Sequence, residues 1–227
     1  MENSGFIIIN KPVGPTSHDV VNQMRKITGI KKIGHAGTLD PFASGVLILA
    51  IGRDATKQID KIVQTEKEYL ADLCLGATTD TYDRTGKIRE EKRVEKIEEE
   101  KIQEVLKTFR GEQEQIPPMF SAKKIQGQKL YKLARQGQEI KRDPVKINIS
   151  EIKLVKYNFP RLKIKVRCSK GTYIRSLAYD IGQALGCGAY LEELQRTAVG
   201  DYTLEKSLSL DKINKDNWEK FSFQSVL

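Results

Sequence analysis

Gly34-His35-Ala36-Gly37-Thr38-Leu39-Asp40-Pro41-Phe42-Ala43-Ser44-Gly45 is the stretch on which the reading of this chain turns. Three glycines and a proline shape it as a loop, and the unbroken apolar run 46–51 follows directly as an interior strand. A loop joined rigidly to a core strand can hold reactive groups in place, and glycine lets a ligand approach the backbone closely. From the residues alone two readings stay open: a tight turn in which Asp40 caps a backbone group, or a presented carboxylate. The run lacks the terminal Gly-Lys-Ser/Thr of a P-loop and matches no dinucleotide fingerprint, which speaks against ATP binding.

Working outward, residues 6–10 read as a buried strand stopped by the turn Lys11-Pro12-Val13-Gly14-Pro15. Thr16 or Ser17 can cap a helix with Val20, Val21, Met24 and Ile27 on one face and Gly29 at its end. A helix is expected over 54–63, a strand over 69–75 and a polar loop over 78–86. Residues 94–110 predict an amphipathic helix with Ile102, Val105, Leu106 and Phe109 inward, its glutamates forming a solvated face. Strands are expected over 146–157 and 162–168. In the second, Leu162, Ile164, Val166 and Cys168 alternate with Lys163, Lys165 and Arg167, so one face is apolar and the other basic. Residues 172–185 predict a helix buried along Ile174, Leu177, Ala178, Ile181 and Leu185. Strands and helices mix without a regular βαβ rhythm, which predicts an α+β fold. With no repeat and no Gly/Ser-rich hinge, a single domain over 1–227 is the simplest organisation.

The 227 residues carry 39 Lys plus Arg against 30 Asp plus Glu, a net charge of +9. That surplus favours a polyanionic partner or an acidic membrane surface. No run approaches the roughly 20 apolar residues of a membrane span, and the stretch 6–9 is too short for a signal peptide. Cys74, Cys168 and Cys187 are odd in number and widely spaced, forming neither a metal-ligand pattern nor a disulfide framework. The expectation is a soluble, intracellular (cytoplasmic) protein without structural zinc.

The loop around Asp40 resembles the signature loop of the TruB family of bacterial tRNA pseudouridine synthases, and further blocks resemble that family in order along the chain. They are Asn10-Lys11-Pro12-Val13-Gly14-Pro15-Thr16-Ser17, Lys67-Glu68-Tyr69 and Leu75-Gly76-Ala77-Thr78-Thr79-Asp80-Thr81-Tyr82-Asp83. Then come Gln115-Ile116-Pro117-Pro118-Met119-Phe120-Ser121-Ala122-Lys123-Lys124, Lys129-Leu130-Tyr131 and Cys168-Ser169-Lys170-Gly171-Thr172-Tyr173-Ile174-Arg175-Ser176-Leu177. The resemblance implies the pseudouridine synthase fold, a large mixed, mainly antiparallel sheet flanked by helices and loops, with an active-site cleft across the sheet. It implies isomerisation of uridine to pseudouridine in the T loop of tRNA, at position 55. That chemistry is redox-neutral and transfers no external group, so no cofactor and no metal are expected.

In the family the loop aspartate is essential, and here it is Asp40. An ionised carboxylate can attack C1′ or stabilise charge there, and both routes stay open. The resemblance makes Tyr69 the stacking partner of the target base and Arg175 the partner of the catalytic aspartate. His35, Leu194, Tyr173 and Lys11 become substrate-binding residues, His35 entering the gap left by a flipped base. Flipping costs a few kcal/mol, and stacking on an aromatic returns roughly 1–3 kcal/mol. Residues 116–145 resemble an RNA-gripping insertion, with Lys123, Lys124, Lys129, Lys132 and Arg135 as phosphate contacts. Lys170 and the face Lys163/Lys165/Arg167 are further candidates. The T arm of tRNA is the expected partner, with no membrane, no obligatory protein partner and a monomeric state. Longer family members continue into an RNA-binding PUA domain, and this chain is expected to lack one. The alternatives are a guide-dependent pseudouridine synthase on another RNA, a non-catalytic tRNA-binding or folding module, and, more remotely, a metal-dependent nuclease through Asp80 and Asp83.

Overall fold

The computed structural model describes residues 4–121, 123–125, 127–138 and 140–223. The chain gathers into two compact units, one of Met1–Tyr69 with Leu194–Leu227 and one of Leu70–Glu193.

The first unit is built on two strands with long apolar runs, Phe6 to Ile9 and Val46 to Ile51. β1 (Gly5–Lys11) lies antiparallel to β3 (Ser44–Ile51), in register from Gly5 opposite Ile51 to Lys11 opposite Gly45. Phe6 to Ile9 and every residue from Val46 to Ile51 are buried, as expected for strands covered on both faces. Between them, α1 (Ser17–Thr28) starts at Thr16 in a capping box with Asp19 and ends at the left-handed Gly29. β2 (Ile33–His35) pairs with β3.

The helix expected over 54–63 is two shorter ones, α2 (Gly52–Lys57) and α3 (Ile59–Gln64). They part at Gln58, whose N–H turns tightly onto the Ala55 carbonyl at 3.0 Å instead of continuing the ladder. Ala55 and Ile62 still reach the core formed by Phe6, Ile8, Val46, Ile48 and Val199. β4 (Lys67–Leu75) then buries alternate residues from Lys67 through Tyr69 to Leu75 and passes into the second unit.

There, a small hairpin of β5 (Ala77–Thr79) and β6 (Ile88–Glu91) precedes α4 (Glu99–Thr108). The helix is shorter than the expected 94–110. Glu98 is still extended, and Glu99 and Glu100 occupy the first turn, where the helix dipole favours acids. β7 (Gly111–Gln115) follows, then β8 (Lys124–Ile125), β9 (Gln128–Lys129) and α5 (Leu130–Arg135). These last elements carry a small core of Met119, Leu130 and Leu133. β10 (Val145–Asn158) and β11 (Arg161–Cys168) form a long antiparallel ribbon, with α4 packed on β10 and on α6 (Ile174–Ala184). β12 (Ala189–Val199) returns the chain to the first unit, where β13 (Tyr202–Thr203) folds back on it. A Cβ on Gly182 of α6 would sit 2.1 Å from the Ala189 nitrogen, so a glycine is what lets the helix approach the start of β12.

Strand order within the first unit is β1–β3–β12–β4, and within the second β12–β4–β11–β10–β7, β4 and β12 being common to both. β12 runs parallel to β3, while β1–β3, β10–β11 and β7–β10 are antiparallel. The sheet is therefore mixed and mainly antiparallel. Among the described residues no helix is long and apolar enough to cross a membrane.

Candidate active site

The loop that carries Asp40 is pinned on both flanks of that residue. Ser17, buried at the start of α1, accepts from the Leu39 N–H at 2.9 Å and donates to the Leu39 carbonyl at 3.1 Å. The Gly14 N–H donates to the Pro41 carbonyl at 2.8 Å, and the Ala43 N–H closes a turn on the Asp40 carbonyl at 3.1 Å. Leu39, Phe42 and Ala43 are buried, while Asp40 between them is half-exposed. The turn thus drives its apolar side chains into the core and leaves Asp40 only partly buried.

Arg196 on β12 holds the two ends of the same loop. Its Nε donates to the Val46 carbonyl at 2.7 Å and its Nη2 to the Gly37 carbonyl at 3.1 Å. Its side chain is among the largest fully buried in the protein. Gly45 lies opposite it with φ +106°, and a Cβ there would meet the Arg196 carbonyl oxygen at 2.2 Å. Only glycine combines that φ with that approach.

Lys11 is fully buried, its ammonium donating to the Pro12 and Pro15 carbonyls at 2.8 Å each. Burial pushes its pKa down to about 8, partly opposed by the Asp40 carboxylate and reinforced by Arg196. His35 sits at the other end of the loop. Burial first, then the Arg196 charge, lowers its pKa, which favours a neutral imidazole at physiological pH. Lys11, His35, Asp40 and Arg196 are therefore one electrostatic group within the first unit. Tyr69 and Leu194 are also there and both are buried, and Glu68 beside Tyr69 accepts from Thr197 at 2.8 Å.

Arg175 belongs to the second unit, in the first turn of α6 and 5% exposed. It donates to the Thr81 carbonyl at 3.2 Å and the Phe120 carbonyl at 2.8 Å, and lies 3.5 Å from the Asp83 carboxylate. Asp83 is itself buried, accepting from the Thr81 hydroxyl at 2.8 Å, the Thr85 N–H at 2.9 Å and the Thr85 hydroxyl. Its carboxylate is occupied in organising the 79–86 turn, a structural task in place of the metal-ligand role considered above. In that turn Tyr82 takes the left-handed φ of 62° and stacks on Tyr179 with centroids 4.3 Å apart. Tyr173 precedes α6, its N–H and carbonyl both bonded by the Gln115 side chain at 2.8 and 3.1 Å. Of the expected phosphate contacts, Lys132 and Lys170 are exposed and Lys123 is half-buried. The side chains of Lys124, Lys129 and Arg135 lie outside the described residues.

Arg196 is the residue that sequence reasoning passed over, while Asp83 was weighed only as a metal ligand and not as the buried partner of Arg175. Leu194, Arg196 and Ala198 alternate on one face of β12, so a charge occupies a core position, a pattern that shows only once the segment is known to be a strand.

Two family models divide the chain between them. The N-terminal domain of TruB family pseudouridylate synthases matches residues 25–174, and the C-terminal domain of tRNA pseudouridylate synthase B matches residues 175–226. They define an enzyme of the pseudouridylate synthase class, and the mixed sheet with its flanking helices is the pseudouridine synthase fold. The chain belongs to the TruB family.

It is 51% identical over 218 residues to a tRNA pseudouridine synthase B of Clostridium tetani, covering 96% of this chain and 75% of that one. It is 51% identical over 205 residues to a tRNA pseudouridine synthase B of Protochlamydia amoebophila, covering 90% and 78%. Among solved structures, a Cbf5–Nop10–Gar1 complex contains a chain that it matches with a TM-score of 0.72 at 34% identity. That match covers 91% of this chain and about half, 52%, of the solved one.

Proposed function

We propose that the protein isomerises uridine to pseudouridine in tRNA, in the T loop at position 55, with the Asp40 carboxylate acting at C1′ of the target nucleotide. The observation that carries this is the Asp40 loop. It is fixed at Gly37, Leu39, Pro41 and Val46, while Asp40 itself is only partly buried. Such pre-organisation is what an attacking or charge-stabilising group needs, because its orientation is settled before substrate arrives. Membership of the TruB family supplies the reaction class, and the relatives' tRNA substrate supplies the polymer.

In this reading Tyr69 stacks on the flipped base, and Arg175 keeps the catalytic carboxylate charged. His35, neutral because it is buried near Arg196, can enter an RNA base stack without carrying a charge into it. Lys11 supports the turn beside Asp40, and Leu194 and Tyr173 belong to the wall that receives the nucleotide. Lys123, Lys132 and Lys170 are assigned to phosphates, as are Lys124, Lys129 and Arg135.

The test is tritium release from a tRNA transcript labelled at uridine C5, since forming pseudouridine breaks the C5–H bond. Wild type is expected to release tritium from one T-loop uridine without added metal, and Asp40→Asn to release none. Tight tRNA binding by wild type with no release, or release by Asp40→Asn at the wild-type rate, would sink the assignment. Release only in the presence of a guide RNA and partner proteins would move the enzyme to the guide-dependent class.

A further inference from the structure

We propose that a strip of the first unit, running along α1 and residues 31–35 from His35 to Lys31, Lys32 and Arg53, is a track for the phosphates of an RNA strand. That this strand is the one carrying the target uridine rests on the proposed function, whereas the track itself requires no chemistry at Asp40.

Two segments build the strip, side by side and in opposite directions. At one end Ser17, in the first turn of α1, exchanges two hydrogen bonds with the Leu39 backbone. At the other end Arg25, in the last turn, donates from Nε to the Lys31 carbonyl at 3.0 Å and from Nη2 to the Ile33 carbonyl at 3.4 Å. The Asn22 side chain accepts from its Nη1 at 2.9 Å and fixes the guanidinium. The helix from Ser17 to Arg25 is about 12 Å long, which is the length of the strip. His18 lies beside the Asp40 loop: burial, then Arg196, then the charge of His18 lower the pKa of His35. One end of the strip therefore carries both histidines of the chain next to Asp40.

The far end is cationic. Lys26, Lys31 and Lys32 are exposed, and the Gly52 N–H donates to the Lys32 carbonyl at 2.8 Å, which brings the exposed Arg53 alongside. Carboxylates on these same helices are engaged elsewhere, Asp19 in the cap of α1 and Asp54 with Lys57 at 3.0 Å. Lys26 has a structural reason to be there, because a cation in the last turn complements the helix dipole. Lys31, Lys32 and Arg53 lie outside that turn, and gathering them together costs the fold repulsion. Arg25 adds to that cost, since its guanidinium binds backbone carbonyls and holds the segment that bears Lys31 and Lys32.

Three exposed cations on a stapled backbone, one helix length from the Asp40 loop, suit a phosphodiester chain. Such a chain is held by charge, without reading of bases.

The experiment measures binding of a tRNA transcript as salt rises, for wild type and for Lys31→Gln/Lys32→Gln/Arg53→Gln. A control triple, Lys212→Gln/Lys215→Gln/Lys220→Gln, removes three exposed lysines near the C-terminus and should keep the wild-type slope. Three lost phosphate contacts flatten the log–log salt slope by about 2.1–2.7, so between 50 and 200 mM salt wild type should lose roughly 20- to 40-fold more affinity than the track variant. In a T-arm stem-loop, neutral methylphosphonate linkages beside the target uridine should cost wild type affinity and leave that of the track variant unchanged. Equal slopes for wild type and the track variant, an equal fall in the control triple, or equal losses from the methylphosphonates would each overturn the proposal. So would an unchanged RNA slope with lost binding to phosphatidylserine vesicles, which would give the strip to a membrane. Tritium release reads the reaction separately: no release by wild type, with the slope difference intact, overturns the role of Asp40 and leaves the track standing.

Discussion

Replacing Arg196 with methionine isolates the contribution of one buried cation to the placement of Asp40. Methionine keeps most of the stem packing and removes the guanidinium, leaving the Gly37 and Val46 carbonyls without these donors in the core. Two charge-assisted hydrogen bonds at roughly 1.5–3 kcal/mol each give a gross loss of about 3–6 kcal/mol. The variant recovers part of this because no charge is now buried, so a net destabilisation of about 3 kcal/mol is expected. For a chain of this size that lowers Tm by about 6–12 °C. The larger effect should fall on the reaction. A loop end released by about 1 Å costs on the order of 100-fold in rate. Single-turnover tritium release, measured well below the variant's Tm, should fall by about that factor while tRNA affinity holds. Arg196→Lys, with a charge but one point of attachment, should recover stability better than rate. Destabilisation with an unchanged single-turnover rate would refute the argument, because Arg196 would then be a core residue with no role in positioning the loop.

Gly45→Ala puts a Cβ against the Arg196 carbonyl at a φ that alanine resists, so expression or Tm should suffer more than in Arg196→Met. Asp83→Asn retains the Thr81 and Thr85 contacts but turns a donor toward Arg175, costing about 3 kcal/mol in urea unfolding, with Asp83→Asn/Arg175→Met less than additive. Lys11 titrates at about 8 when folded and 10.5 as its ordinary value. Between those values the unfolded chain binds the proton that the folded chain releases, so this residue makes stability rise with pH, by at most about 1.4 kcal/mol per pH unit. Unfolding measured from pH 7 to 10.5 should show that rise in wild type and lack it in Lys11→Met; parallel profiles would reject the burial argument.

Elements whose cause is local were legible in the sequence. The apolar runs of β1 and β3, the Thr16 cap, the Gly29 stop and the alternation of β11 all announce themselves within a few residues. β12 did not, because its Tyr190-Leu191-Glu192-Glu193-Leu194-Gln195-Arg196 is rich in good helix formers. It is a strand because β3 offers it a parallel edge and because Leu194, Arg196 and Ala198 alternate into the core, with Leu191 buried before them, a tertiary reason. β7, Gly111-Glu112-Gln113-Glu114-Gln115, is polar throughout and is a strand only through its pairing with β10.

The candidate site divides along the same line. Asp40 stood out because glycine and proline mark its loop from within, and the family resemblance attached chemistry to it. What holds the loop still comes from elsewhere. Ser17 reaches Leu39 across 22 residues of sequence, and Arg196 reaches Gly37 and Val46 across 159 and 150. The carboxylate proposed to be catalytic is recognisable from its neighbours in sequence, but its rigidity depends on its neighbours in space. A buried arginine bonded to two carbonyls is a costly way to fix a loop, since an apolar residue would fill the volume without desolvating a charge. The extra it provides is direction: two donors in one planar group set the separation of Gly37 and Val46, and with it the span of the turn that presents Asp40.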